Sequence, residues 1–448
     1  VLLVPAAGAA AALLLVARHG VFLSADGLSY VGTARNLLDG HGLRPPPGSP
    51  PPGQFPPLYP LVLAAGGRLS GADPLTVARY ANPLLAAATV LLVGAWVRRA
   101  TGSVGRAVAA QVAVATAVDV LTHGAGAQSE PLFVLLALGA LALMSGGRWR
   151  AAAGLAAAAC LTRYVGVAVV AAGAAGLVSE GRPRRWRWAA VWSGAALAPT
   201  GLWLAWAGSA GGRTAALHLP GLDYLDRGVR NVGLWLAPSA VPWPVRDALA
   251  AAAVVALVAV ARTHRRPPAT RVLGLFAAAY LAAVLLQRAL FEVSGRLDTR
   301  FLLVLHVAAV MAVASVRHRL APALVWAAVL AQLPGAVGWI ADGSTPRRPA
   351  RYDGYAARMW SEAVVMGRVR ALPPGERVTT NLPAVVYFHT GRVAQRLPLD
   401  WAVRQQGATG VVAYFTASAG GGRFFSPPVL AGWTEVGRDR VGALYRPT

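Results

Sequence analysis

SADGLSYVGTARNLLDGHGLRPPPGSPPPGQFPPLYP, residues 24–60, decides how the rest of the chain is read. It follows closely on the apolar run of residues 1–16, so it begins where the chain leaves a membrane. Leu28, Val31, Ala34, Leu37 and Leu38 fall on one face of a helix. Ser24 has the chemistry of its N-cap, and Gly40 and Gly42 that of its stop. Asp26 then sits in the first turn, where the positive end of the helix dipole favours a carboxylate. The proline run of residues 45–57 cannot be helical and predicts a stiff loop. Residues 56–67 form an apolar segment too short to span a bilayer. An Asp in a first turn is often only a cap, so its meaning depends on the rest of the chain.

That rest is a membrane protein by composition. Of 448 residues, 56% are hydrophobic and 13% charged, and the mean hydropathy is +0.50. A soluble domain is less apolar than this, so repeated membrane spans are expected. The net charge is +24, and every basic residue other than histidine is Arg. The arginines punctuate apolar runs and build no basic patch, so membrane topology accounts for the charge and no nucleic-acid partner is expected. Cys160 is the only cysteine, and the eight histidines show no HExxH-like spacing. No disulfide framework, metal site or cofactor is therefore expected. Abundant Ala, Gly, Arg and Pro without Lys is the bias of a GC-rich bacterial genome.

About eleven spans are predicted, near residues 1–17, 76–97, 104–122, 130–146, 151–163, 165–179, 188–207, 247–262, 272–291, 301–316 and 320–340. Arginine clusters at 98–99, 148–150, 182–187, 262–271 and 317–319 fall in alternate loops. The positive-inside rule makes that side cytoplasmic. The N-terminus is then inside the plasma membrane, while Asp26, residues 128–130, Arg163, the loop 208–246 and residues 291–300 lie outside. After Gly343 the pattern changes to short apolar runs between Gly/Pro turns. The expected organisation is an all-α polytopic transmembrane domain, residues 1–341, with a first outer loop at 18–75. A small extracytoplasmic α/β domain follows at 342–448, with a helix near 355–372 and then several strands.

Charges near membrane depth are costly and mark pathways or sites. Here they converge on the outer loops: Asp26 and Asp39 in the first, Asp119, His123 and Glu130 around the second, Arg163 and Tyr164 in the third. Arg288, Glu292, Arg296, Asp298 and Arg300 crowd the last. Each has an ordinary alternative: Glu130 as a cap for the helix starting at Pro131, Arg163 snorkelling to headgroups, Asp298 paired with Arg296 or Arg300. Together, arginines and a carboxylate above an apolar bundle fit a lipid-linked phosphate donor. A polyprenyl phosphate is already a good leaving group, so moving its sugar needs cations on the phosphate and one carboxylate to take the acceptor's proton. Asp26 is the expected base, with Asp39 its rival. Arg163, Arg296 and Arg300 are the expected phosphate ligands, with Arg35 and Arg288 as competitors.

Several short motifs resemble one family in the order in which they occur. Asp26-Gly-Leu-Ser-Tyr30, Ala34-Arg35-Asn36-Leu37-Leu38 and Gly40-His41-Gly42-Leu43 resemble the first outer loop of GT-C-fold membrane glycosyltransferases. The group most similar is the bacterial relatives of protein O-mannosyltransferases and of the lipid A aminoarabinose transferase. Pro56-Pro57-Leu58-Tyr59-Pro60-Leu61, Ser129-Glu130-Pro131-Leu132-Phe133, Thr162-Arg163-Tyr164 and Arg296-Leu-Asp-Thr-Arg300 resemble later family elements, and residues 380–383 and 387–392 its exported domain. The resemblance implies an inverting transferase that takes a sugar from a polyprenyl-phosphate donor to an acceptor hydroxyl on a glycan, lipid or protein. It implies Asp26 as catalytic carboxylate and substrate-facing places for Tyr30, Tyr59, Glu130 and Tyr164. Many relatives carry Asp-Glu where this chain has Asp26-Gly27, which leaves Glu130 or Asp39 for any second carboxylate. A polytopic transporter or flippase is the competing expectation, although neither internal repeats nor broken midplane helices are evident.

Overall fold

A computed structural model describes residues 1–179, 184–208, 222–237, 241–251, 268–291, 297–346, 348–397, 410–417 and 432–448. The chain opens with α1 (Leu3–Ala17), α2 (Ala25–Leu38), α3 (Leu58–Ser70), α4 (Pro74–Thr101), α5 (Val104–Ala115) and α6 (Val118–Gly124). It continues with α7 (Glu130–Ser145), α8 (Trp149–Thr162), α9 (Val167–Ser179), α10 (Arg185–Gly208) and α11 (Leu222–Leu236). Next come α12 (Pro268–Phe291), α13 (Thr299–Ser315) and α14 (Ala321–Gly343).

Local chemistry sets these boundaries. Ser24 Oγ accepts the Gly27 N–H at 3.0 Å and starts α2, as its spacing predicts. Asp73 caps α4 through the Leu75 N–H at 2.9 Å, with Pro74 at the first helical position. Alanines line the helix contacts: Ala107, Ala110, Ala113, Ala137, Ala152, Ala156 and Ala159 are all fully buried. Side chains this small let helix backbones approach closely where water supplies no drive for association.

The outside is as apolar as the inside. Leu202, Trp206, Leu281, Leu286, Leu324, Leu330 and Val337 are exposed on α10, α12 and α14, which marks a surface facing lipid. Among the described residues three helices are long and apolar enough to cross a membrane, and a fourth span forms if α5 and α6 count as one. These helices make the chain a membrane protein.

Two local readings are corrected, and a third lies mostly outside the described residues. The single span expected at 104–122 is two helices bent by 61°, with Thr116 and Ala117 outside either one. The loop expected at 208–246 contains α11, whose Tyr224 is buried and whose Trp235 packs against the bundle. Of the span expected at 247–262, residues beyond 251 lie outside the described ones.

The C-terminal residues carry a small sheet. Strands β1 (Val378–Thr380), β2 (Gln395–Arg396), β3 (Val411–Phe415), β4 (Trp433–Arg438) and β5 (Gly442–Pro447) lie in the order β2-β1-β3-β5-β4. β1 runs parallel to β2 and β3, while β5 is antiparallel to β3 and β4. The helix expected at 355–372 is broken, and its second part, α15 (Val364–Ala371), starts afresh. The cause is a tertiary cap, because Asp439 Oδ2 accepts the Val365 N–H at 3.0 Å. α16 (Pro383–Thr390) packs against α2.

Phe22 and Leu23 join the parts. The Ala127 N–H donates to the Phe22 carbonyl at 2.9 Å, and the Tyr355 N–H to the Leu23 carbonyl at 2.8 Å. The Leu23 N–H in turn donates to the Asp353 carbonyl at 3.0 Å. Gly354 makes this approach possible: its φ is +60°, and a Cβ there would collide with the Leu23 carbonyl. Buried Arg348 donates to the carbonyls of Val16 and Gly343 and pairs with Asp353, tying the ends of α1 and α14 to the same crossing.

His389 supports the docking of α16, with Nε2 2.8 Å from the Tyr355 carbonyl oxygen. Burial pushes its pKa down, Arg370 acts in the same direction and the bond to Tyr355 opposes them. A native pKa below the unfolded value of about 6.5 means that stability is complete above that pH and lost as pH falls through the native value. The unfolding midpoint of the C-terminal region is therefore expected to drop between pH 7.5 and pH 5.5, and His389→Gln to flatten the slope. Equal slopes in the two proteins would remove His389 from the account.

Candidate active site

Four of the residues singled out from the sequence meet at one point. Glu130 opens α7, Arg163 ends α8, Arg300 lies in the first turn of α13 and Asp26 in the first turn of α2. Glu130 is almost fully buried, and its Oε1 accepts from Arg163 Nη1 at 2.5 Å and from Arg300 Nε. Arg300 Nη1 reaches on to Asp26 Oδ2 at 2.6 Å. A buried carboxylate thus holds two guanidinium groups, and one of these holds a second, more exposed carboxylate. The local charge sums to zero, which is how ions survive where water is scarce.

The neighbours fix the rotamers. Ser129 Oγ accepts from Arg163 Nη1 at 3.3 Å and shares a 3.3 Å hydrogen bond with the Tyr30 hydroxyl. Tyr30 is buried, edge-on to Phe55 and Tyr59 with ring centroids 5.1 and 5.3 Å away. Tyr59 donates to Asn82 Oδ1 at 3.2 Å, and Asn82 Nδ2 donates to the carbonyls of Gly126 and Gln128. The segment leading into Glu130 is therefore pinned through α4. Ser129 and Asn82 were not singled out as site residues. Asn82 could have been found, since an amide in the middle of an apolar helix signals a polar contact.

The remaining candidates lie elsewhere. The Tyr164 hydroxyl donates to the Gly53 carbonyl at 2.9 Å and accepts from Trp203 Nε1. Asp39 caps the far end of α2, about 20 Å along the axis from Asp26. Arg35 makes a two-pronged ion pair with Asp73, at 2.8 and 3.1 Å. Arg288 lies 5.7 Å from the Tyr224 ring centroid. Asp298 caps α13 through the Arg300 N–H at 3.0 Å. Arg296 lies outside the described residues. Among the described residues no group of three or more His, Cys, Asp or Glu side chains is placed to hold a metal.

One feature makes this arrangement suited to an anionic ligand. Among the described residues Arg163 engages protein only through Nη1 and Arg300 only through Nε and Nη1, so Nη2 of each can still donate. Glu130 Oε2 is buried without a hydrogen-bond partner among the described residues.

Solved structures share this architecture. ArnT from Cupriavidus metallidurans in the apo state aligns over 99% of this chain and 97% of its own, with a TM-score of 0.50 at 15% identity. An oligosaccharyltransferase from Archaeoglobus fulgidus, apo, aligns over 88% of this chain with a TM-score of 0.52 at 11% identity. This chain matches 64% of that protein's length. The chain has the GT-C fold. The resemblance read from the sequence is thereby supported at the level of the fold. No family model matches the chain, and no curated protein matches it in sequence.

Removing the buried charge should be costly. Glu130→Gln keeps the shape but leaves Arg163 and Arg300 without their counter-charge, an expected loss of about 3–5 kcal/mol in denaturant unfolding. Asp26→Asn, in the more exposed arm, should cost about 1 kcal/mol or less. Equal stability of Glu130→Gln and the parent would show that the pairing does not hold the bundle together.

Proposed function

We propose that this chain is an inverting glycosyltransferase that moves a sugar from a polyprenyl-phosphate donor to an acceptor hydroxyl at the outer face of the plasma membrane. The observation carrying this reading is the Asp26–Arg300–Glu130–Arg163 chain of contacts at the start of a short first-loop helix. The GT-C fold supports it.

Asp26 is the base. Its carboxylate takes the proton of the acceptor hydroxyl as that oxygen attacks the anomeric carbon. The bond from that carbon to the phosphate oxygen breaks, and its electron pair leaves with the polyprenyl phosphate. Attack opposite the leaving phosphate inverts the anomeric centre. The Nη2 groups of Arg163 and Arg300 receive the charge that grows on the phosphate, with Arg296 a further candidate, and planar forks suit that task. Glu130 keeps both forks aimed, while Tyr30 and Tyr59 wall the site.

Asp26→Asn keeps size and polarity but accepts no proton. It is expected to insert normally, to bind radiolabelled polyprenyl-phosphate sugar, and to turn over at least about 100-fold more slowly than the parent. Near-parental turnover would place the base elsewhere, and translocation of the lipid without transfer would support a transporter.

The proposed topology has about eleven spans, a cytoplasmic N-terminus and residues 342–448 exported as an α/β domain. Added protease should clip that domain from intact spheroplasts and leave the arginine-rich loop at 182–187 protected. A protected C-terminal domain would invert this topology or change the parity of the span count.

A further inference from the structure

α2 has two working faces. Asp26, Ser29, Tyr30 and Thr33 lie along one side, while Leu28, Gly32, Arg35, Asn36 and Asp39 lie along the opposite side at helical spacing. The second side borders a cleft of about 220 Å³ whose other wall is α16, with Ala384, Tyr387 and Phe388. Proposed catalysis uses the first face only. The second is unassigned, although both of its walls carry motifs that stand out in the sequence.

The walls are fixed. Arg35 is held by its two-pronged pair with Asp73 and lies 5.0 Å from the Phe388 ring centroid. Asn36 Nδ2 donates to the Arg44 carbonyl at 2.8 Å, holding the proline-rich loop in place. On the other wall, His389 is bonded to the Tyr355 carbonyl, and the Tyr355 N–H to Leu23 just ahead of α2. Gly32 admits Pro46 against the helix where a Cβ would collide with the ring. Two lining residues carry polar groups with no hydrogen-bond or ion-pair partner among the described residues, the exposed Asp39 and the half-buried Tyr387. A carboxylate at a helix C-terminus faces the negative end of the dipole, so Asp39 is poorly placed as a structural residue.

We infer that this cleft is a subsite for one non-reacting sugar unit of a carbohydrate acceptor. Its size is below the roughly 300–1,000 Å³ of drug-sized pockets, which limits the occupant to about one ring. The Tyr387 and Phe388 rings and the Tyr387 hydroxyl on one wall, with the Asp39 carboxylate on the other, match the apolar face and hydroxyl edge of a sugar. A purely apolar occupant would leave Asp39 unpaired, and an anion would meet its charge. The occupant would rest on the helix that carries Asp26, so binding would also order the catalytic face.

The inference rests on the transferase reading, and its test is separable from it. Purified full-length protein in nanodiscs is exposed to methyl glycosides of common hexoses and pentoses, with saturation-transfer NMR as readout. At least one glycoside should give a signal. Tyr387→Phe, which removes one oxygen, and Asp39→Ala should each weaken its affinity by about threefold to tenfold. Asp26→Asn should leave it unchanged. Absence of signal from every glycoside, or signal that survives both cleft substitutions, overturns the subsite. Absence of any sugar transfer from radiolabelled polyprenyl-phosphate sugar by the parent protein overturns the transferase reading and leaves the glycoside result standing as measured.

Discussion

The structure depends on one buried carboxylate. Glu130 lies between Arg163 and Arg300, where an uncompensated charge would cost several kcal/mol. Each partner comes from a different helix end, so satisfying this one group fixes α7, α8 and α13 relative to one another. Asp26 is then drawn into place by the arginine that Glu130 has already positioned. One layer beneath, His306 Nδ1 is 2.8 Å from Asp119 Oδ2, and Trp235 stacks on the imidazole at 4.5 Å. This second polar pair joins α6 and α13, so the same helix is held at two depths.

The polar contacts that fix the site are few and directional, whereas the bundle around them is held by small apolar side chains. This division of labour follows from the solvent. Lipid offers no drive toward burial of apolar groups, but it penalises every unpaired polar one. Alanine-rich faces bring the helices close, and the ion pairs at their ends select one register.

Much of this was legible in the sequence, and the reasons for success and failure are physical. The first-loop helix was read correctly because its cap, its apolar spacing and its glycine stops are all local. Four of the charges picked out do meet, and they were noticed because ionisable groups near membrane depth are rare. What the sequence did not reveal was their pairing. Arg300 and Glu130 are 170 residues apart, and no local pattern tells which arginine meets which carboxylate. The 61° bend after Ala115 went unread because Thr116 and Ala117 are unremarkable in an apolar run. The helix expected across 355–372 failed at Ala363 because its interruption is imposed by Asp439, from the far end of the chain.

The crossing of Phe22 and Leu23 with residues 353–355 carries a consequence for biogenesis. Leu23, just ahead of Asp26, is synthesised well before its hydrogen-bond partners Asp353 and Tyr355, which are more than 300 residues downstream. At about 5–20 residues per second, they emerge roughly 15–65 s later. During that interval the first loop has a carboxylate, an exposed strand edge and a stiff proline stretch, but no fixed geometry. A chain cut short before residue 353 would therefore lack the contacts that fix the backbone leading into α2.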